Sequence, residues 1–424
     1  MNGAGGYRPY PAYKDSGVEW LGEVPAHWKI LRSKAVLTLS REKNNNEPVG
    51  EMLSVSGYRG VEQKEYDFEE RKRTADELAD YRVVRKGQLV VNTMWLNYSG
   101  LGVSSLEGYV SPAYRCYFIK PEMDGDFLHH LLRSSIYIGR YSALLYGIRP
   151  NSLQIKNHDW DSLEILIPPL PEQRAIAAFL DRKTAEIDAL IAAKERLIAL
   201  LREKRAALIT QAVTKGLDPD VPLKDSGVEW LGEVPGHWEV KKIKHLAQLK
   251  SGEGITALDI NESGDFAVFG GNGIRGYANL YTHSGSYVLI GRQGALCGNI
   301  NYADGKFWAS EHAVVAHPLT SYNVLWFGEL LRSMNLNQYS VSAAQPGLAV
   351  ERIANLTIPV PPVEEQHLIG VLLERQIESM ENVVIQVMDA VSYLREYRTA
   401  LISAAVTGKI DVRDRAIDDP NRKG

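Results

Sequence analysis

The sequence predicts an α+β protein built twice over: two tandem mixed α/β domains, each followed by a long helix, the two helices pairing as an antiparallel coiled coil with pseudo-twofold symmetry. Three observations carry this prediction. First, the fifteen-residue phrase KDSGVEWLGEVPAHW at 14–28 returns as KDSGVEWLGEVPGHW at 224–238, with only Ala26 exchanged for Gly236. Second, further phrases return in order. LLRS recurs at 131 and 330, YS at 141 and 339, IPPLPEQ at 167 as VPPVEEQ at 360, and RAALITQAVTKGLD at 205 as RTALISAAVTGKID at 398. The offset falls from 210 to 199, 198 and then 193, which marks a duplication whose second copy is shorter in its middle. A period near 200 is far too long for a solenoid, so the duplicated unit is a domain. Third, the end of each copy carries a seven-residue apolar repeat, which is the spacing of a coiled-coil seam.

Each element has its own justification. Residues 1–13, MNGAGGYRPYPAY, precede the repeat, have no counterpart at 211–223, and read as a loosely ordered extension rich in glycine, proline and tyrosine. Residues 14–170 and 224–361 form the two globular domains. Their runs GQLVVNTMW (87–95), AYRCYFIK (113–120), GSYVLIG (285–291) and HAVVAHP (312–318) are β-branched and aromatic stretches bounded by turn residues. Each is large enough to bury its own core. Residues 171–215 and 362–410 form the long helices. In the second, Leu373, Met380, Val387, Leu394 and Leu401 make one seam and Val383, Val384 and Val391 the other. The first offers Leu180, Ile187, Lys194, Leu201 and Leu208, with Leu190, Ile191 and Leu197 between. Pro171 and Pro362, Glu172 and Glu365 suit helix starts, and Gly216 and Gly408 suit helix ends. A helix of about 39 residues would be about 58 Å long. Residues 216–223, GLDPDVPL, read as a linker, and 411–424 as a solvated tail.

Composition narrows the function. Of 424 residues, 45% are apolar and 24% charged, an ordinary globular balance. No apolar run is long enough to span a membrane, and the start lacks the apolar core of a secretory signal, so a cytoplasmic protein is expected. Cys116 and Cys297 fit no metal or redox spacing and read as reduced, buried thiols. The net charge of −4 argues mildly against nucleic acid as a partner. Positive charge is nonetheless concentrated locally, with nine Lys/Arg against six Asp/Glu over 172–215 and a basic stretch at 239–250. Tight DNA binding by such a chain would borrow charge from a partner.

No catalytic constellation survives inspection. GNGIRG (271–276) matches a dinucleotide fingerprint and FGGNG (269–273) a methyltransferase one, but the residues that follow are strand-like, so a glycine-rich β-turn is the reading. The Pro-Pro pairs follow Ile167 and Val360, not the residues an adenine methyltransferase needs. Asp220 with Glu239 and Lys241 is a loose nuclease pattern with the aspartate in the linker. There is no P-loop, no H-E-x-x-H and no Cys/His cluster. His27 and His237, inside the repeated phrase, read as packing or capping residues, and the run EERKRTADE (69–77) as a solvated face. Binding signals are stronger. VVNTMWLNYSG (90–100) and YGIRPNSLQIK (146–156) in copy one, and GGNGIRGY (270–277), GRQGALCGN (291–299) and SAAQPGLAVER (342–352) in copy two, are loops rich in the residue types that read base edges and phosphates.

Taken together, the repeated KDSGVEWLGEVPxHW, the IPPLPEQ and VPPVEEQ helix entries, the ITQAVTKGLD and ISAAVTGKID helix ends, and the motifs GGNGIRGY, VLIGRQGALCGN, FWASEHAVV, VVNTMW and GYVSPAY resemble the specificity (S) subunit of type I restriction–modification systems over nearly the full length. The resemblance implies two target-recognition domains, each reading one half of an asymmetric bipartite DNA site, with the paired helices as a spacer fixing the gap. It implies a chain that is not catalytic by itself and holds no cofactor. Two modification subunits would bring S-adenosylmethionine and adenine-N6 methylation, and restriction subunits ATP- and Mg-dependent translocation and cleavage. The alternative is a methylation-only or other phage-defence system without a nuclease. A scaffold without a DNA role would show no sequence-selective binding. In this frame the candidate DNA contacts are Asn97, Tyr98, Arg149, Asn151 and Ser152 in copy one, and Asn272, Arg275, Arg292, Gln293 and Gln345 in copy two. Trp20, Trp28, Trp230 and Trp238 are the candidate packing anchors of the frame.

Overall fold

The computed structural model describes residues 7–45, 48–65, 74–147, 153–294, 296–340 and 347–416. Arg149, Asn151, Ser152 and Gln345 therefore lie outside the described residues, as do 69–73 of the charged run.

The two globular domains share one topology although their middles differ in sequence. In copy one, a four-stranded sheet runs Gly60–Gln63, Glu51–Ser56, Gly108–Val110, Arg82–Val84; its counterpart in copy two runs Gly273–Ala278, Phe266–Gly270, Lys306–Ala309, His283–Ser284. Each of these sheets has one parallel pair at its centre, Gly108–Val110 with Glu51–Ser56 and Lys306–Ala309 with Phe266–Gly270, and antiparallel pairs outside it. A second sheet is Leu37–Leu39, Tyr114–Ile119, Leu89–Asn92, Leu101–Val103 in copy one and Ala247–Ser251, Ala313–Pro318, Tyr287–Gly291, Ile300–Ala303 in copy two, antiparallel throughout. The strand Leu89–Asn92 is buried at every position, which its apolar run Leu89–Val91 foretells.

A short strand pair closes each domain. Lys29–Arg32, directly after the repeated phrase, pairs with Glu164–Ile167, directly before the long helix; Glu239–Lys242 pairs likewise with Thr357–Val360. The fixed ends of each copy thus meet, and the variable middle is a loop out of a constant base.

Helix one spans Leu170–Lys215 (46 residues) and helix two Val363–Val406 (44 residues), about 69 and 66 Å long and longer than the seven-residue pattern alone suggests. The described residues fall into two compact units, one drawn from 1–193 and 390–424, the other from 194–389. Each unit takes one globular domain, part of helix one and part of helix two. In the first, Ile176, Leu180, Ile187 and Ile191 join Val391, Leu401 and Val406 in a core with Trp28, Phe127, Tyr137 and Trp160. In the second, Ile209 and Val213 join Ile369 and Leu373 in a core with Trp238, Trp326 and Phe327.

The two helices run antiparallel. Arg398 grips Asp188 at 2.9 and 3.2 Å, and Arg205 reaches Glu381 at 2.9 Å. Moving forward along helix one from Asp188 to Arg205 moves back equally along helix two, from Arg398 to Glu381. The two ion pairs are moreover the same pair made twice, because 188 and 381, like 205 and 398, differ by the repeat offset of 193. The seam differs in detail from the sequence expectation. Positions spaced four and three apart turn inward, among them Ile187, Ile191, Lys194, Ile198 and Leu201 on helix one and Leu373, Ile377, Met380, Val384 and Val387 on helix two. Leu190, Leu197 and Val383 stand 46%, 43% and 41% exposed, because a one-residue slip in an α-helix swings a side chain about 100° off the seam. Lys194 is only half-buried, so its ammonium reaches water over an apolar stem.

The N-terminal stretch is not loose over 7–13. Asp411 N–H donates to the Arg8 carbonyl at 2.7 Å, Tyr13 Oη donates to the Gly408 carbonyl at 3.0 Å, and Tyr10 is buried against Trp28. Tyrosine side chains are what dock this segment, which its glycine and proline content had suggested would be loosely ordered. Both cysteines are buried and free, and burial pushes the Cys116 thiol up to about 12.

Candidate nucleic-acid interface

The closing residues of each repeated phrase are held between the ends of the long helices. The indole of Trp28, fully buried, donates to Glu172 Oε1 at 2.8 Å, and His27 Nε2 lies 2.8 Å from Glu172 Oε2. In copy two Trp238 donates to Glu365 at 3.0 Å, and His237 lies 2.8 Å from the same carboxylate. Both glutamates sit in the first turn of a helix, where the backbone dipole favours negative charge. The next residue serves the domain. Gln173 accepts from the Asp124 N–H at 2.8 Å, and Gln366 from the Asn323 N–H at 3.1 Å. Asp124 and Asn323 cap the helices Gly125–Leu132 and Val324–Ser333. The same closing residues also meet the end of the other helix. Gly408 has φ +71°, and a Cβ there would lie 2.4 Å from Pro25, so only glycine can both end helix two and admit the phrase. Gly216, at φ +78° between Trp238 and Glu365, does the same for copy two.

Trp28 and Trp238 therefore carry the clamp. Trp20 packs edge-on to Tyr137 at 5.0 Å, inside the domain and not on a long helix, with Arg140 over its ring. Trp230 is 37% exposed and is not a buried anchor.

In each domain two turns come together. In copy two they are the hairpin turn between Phe266–Gly270 and Gly273–Ala278, and the connection 292–299 between Tyr287–Gly291 and Ile300–Ala303. The glycine run is thus a hairpin turn, as its context argued, with Gly273 at φ +95°. The turns meet because Gly291 has no side chain: a Cβ there would lie 2.1 Å from the Gly271 carbonyl oxygen. Between them opens a cleft of about 740 Å³ lined by Asn272, Arg275, Gln293, Leu296 and His312 among others. Three of the expected contacts, Asn272, Arg275 and Gln293, share this cleft. Arg292 does not; its guanidinium donates to Ser251 Oγ at 3.1 Å. His312, not singled out from the sequence, joins the cleft with its Nδ1 3.1 Å from Gln293 Oε1.

Copy one pairs the equivalent turns differently. Asn97 and Tyr98 lie on the one-turn 3-10 segment Leu96–Tyr98, with Tyr98 61% exposed and 5.5 Å from the ring of Trp95, itself 53% exposed. The hairpin turn at 56–60 packs directly on this loop, since a Cβ on Gly57 would lie 2.5 Å from the Tyr98 carbonyl oxygen. Arg133, from the repeated LLRS, bonds four carbonyls at once: Ser56, Gly57, Ser99 and Leu101. Burial, with Arg398 nearby, lowers it to about 10. Tyr58 Oη donates to Asp188 at 2.6 Å and its ring lies under Arg398, tying the hairpin turn to the helices of its own unit. The LLRS arginine of copy two, Arg332, bonds the Ile300 carbonyl at 3.1 Å and the buried Glu329. Among the described residues there is no cluster of His, Cys, Asp or Glu that could hold a metal ion, and no helix is long and apolar enough to cross a membrane.

Known proteins agree with this geometry. Residues 235–386 match the family model of the type I restriction modification DNA specificity domain. The EcoprrI specificity subunit of Escherichia coli is 43% identical over 139 residues, 32% of this chain and 35% of that one. The EcoKI specificity subunit of E. coli strain K12 is 25% identical over 71% of this chain and 69% of its own. The EcoprrI match thus spans about a third of that relative's length. Among solved structures, a chain from a study of type I R-M complex assembly and conformational transition superposes with a TM-score of 0.67 over 90% of this chain and 98% of that one, at 16% identity. The HsdS subunit of Thermoanaerobacter tengcongensis superposes at 0.54 over 91% and 98%. The fold is therefore that of an HsdS subunit, with two globular domains each closed onto the long helices. In sequence over residues 235–386, and in fold over nearly the whole chain, the protein is thus similar to type I restriction–modification specificity subunits.

Proposed function

We propose that this chain supplies DNA sequence specificity to a type I restriction–modification complex. Each globular domain reads one half of a bipartite site through its two turns, and the helices set the spacing. The observation that carries this reading is the combination of an identical frame, made twice down to the Trp–Glu bond and the interhelical ion pair, with two different turn pairs mounted on it. A protein that must present two different readers in equivalent positions to two equivalent partners needs that arrangement. The partners are double-stranded DNA, two modification subunits bringing S-adenosylmethionine, and restriction subunits bringing ATP and Mg-dependent chemistry. The chain itself holds no cofactor, performs no catalysis and works in the prokaryotic cytoplasm. The relatives named above are restriction-enzyme subunits, which favours this complex over a methylation-only system.

The test is a genome-wide map of N6-methyladenine in a methylation-free host expressing the chain with the modification subunit encoded beside it. A bipartite motif that needs both proteins is the expected result. A stable complex without a new motif would contradict it.

A further inference from the structure

We propose that the copy-two cleft reads the major-groove edge of a guanine through Arg275, Gln293 and Asn272, with His312 as the positioning residue that orients Gln293. This rests on the DNA-specificity reading and deepens it. Asparagine and glutamine read adenine by giving an NH2 and accepting at the carbonyl oxygen together, whereas guanine presents two acceptors, O6 and N7. The cleft has the means for the second and not the first. Asn272 Oδ1 already accepts from Asn299 Nδ2. Gln293 Oε1 lies 3.1 Å from His312 Nδ1, while His312 Nε2 lies 3.0 Å from Glu311 Oε1. As an imidazolium paired with the Glu311 carboxylate the ring donates to both oxygens, and in that form Gln293 turns its NH2 into the cleft. In that form both amides point their oxygens at protein donors and their NH2 groups toward the cleft. Arg275 adds a fork of donors and has no acceptor. Its stem lies across Gly270, where a Cβ would come within 2.3 Å of Arg275 Cδ, and this holds the exposed guanidinium at the rim. The three side chains together form a donor array that matches O6 and N7 and leaves the adenine and cytosine amino groups without an acceptor.

The experiment uses the full chain assembled with its modification subunits and duplexes randomised in both half-sites, read by sequencing the bound fraction. Wild type is expected to select a G·C pair at one or more positions of one half-site. Arg275→Ala should lower that preference roughly tenfold or more and leave the other half-site unchanged. Replacing that guanine by 7-deazaguanine, which pairs normally but lacks N7, should weaken wild-type binding to a similar extent. His312→Ala releases the Gln293 oxygen and should admit adenine at one position of the same half-site, which mere loss of stability would not do. The guanine assignment is overturned by a wild-type motif with no G·C pair in the half-site that Arg275→Ala alters, by a motif indifferent to Arg275→Ala, or by 7-deazaguanine bound as well as guanine. An assembled wild-type complex that selects no sequence at all would instead remove the DNA-specificity reading.

Discussion

The two globular domains have the same strands in the same order and are clamped by the same Trp–Glu bond, yet they finish their paired turns in opposite ways. Copy one fastens its turns: Arg133 bonds four carbonyls across both, and Tyr58 reaches down to Asp188 and Arg398. In copy two the shorter hairpin turn carries no such tyrosine, and the turns enclose an open cleft instead. The interior compensates as well. His129 of copy one, packed against Gly60 and Gly102, has Gly328 as its repeat partner, and the ring of Tyr302 fills that space. The comparison teaches where a duplicated chain is free to change. Residues that join domain to helix answer to two partners each and stay the same, while residues beyond them answer only to the local fold and to whatever is read.

That division can be broken at its strongest point first. Trp28→Ala or Trp238→Ala removes a fully buried indole and should cost about 3–5 kcal/mol in denaturant unfolding while leaving the target motif of any surviving complex unchanged. A changed motif at unchanged stability would show that the frame reads DNA. Removing the carboxylate partner is the next test. Glu172→Ala strands a buried indole N–H and should cost about 1–3 kcal/mol, and Glu365→Ala less, because Glu172 is 6% exposed and Glu365 25%. Equal losses would contradict the burial difference.

The copies should also part with pH. Burial, and then Arg133, hold His129 down to about 3. A histidine whose folded value lies below its unfolded one stabilises above the unfolded value, and that stability is lost as pH falls toward the folded value. From pH 7 to pH 5 this amounts to about 2 kcal/mol. The loss should appear in wild type and shrink in His129→Gln, with unfolding measured at both values. Tyr58→Phe, at a largely exposed bond, should cost under about 1 kcal/mol, as read by thermal unfolding.

Much of the frame was legible in the sequence because duplication prints it twice. The helix entries and the helix-ending glycines follow from the repeated phrases, and the strand-rich domains from the β-branched runs between them. The partners of those phrases were not legible. Trp28 and Glu172 are 144 residues apart, and only the closing strand pair, Lys29–Arg32 on Glu164–Ile167, brings them together. A clue was available: His-Trp and Glu-Gln recur together in both copies, as does the arginine of LLRS. Glycine-rich loops located the cleft, and Asn272, Arg275 and Gln293 share it. Residue type alone could not tell Arg292, spent on Ser251, from Arg275, which is free at the rim. Nor could it supply His312, which a separate strand connection brings to the cleft. The heptad register slipped by one at Leu190 and Leu197 because leucine is apolar on either side of a seam.

The central claim is that two independent readers stand on one frame used twice. It is tested most directly by replacing residues 29–167 with residues 239–360, so that both copies carry the second reader, and mapping N6-methyladenine in the methylation-free host with the modification subunit present. The account predicts a palindromic bipartite motif composed of one original half-site and its inverted repeat. An assembled complex that keeps the original asymmetric motif, or that produces none, would contradict it.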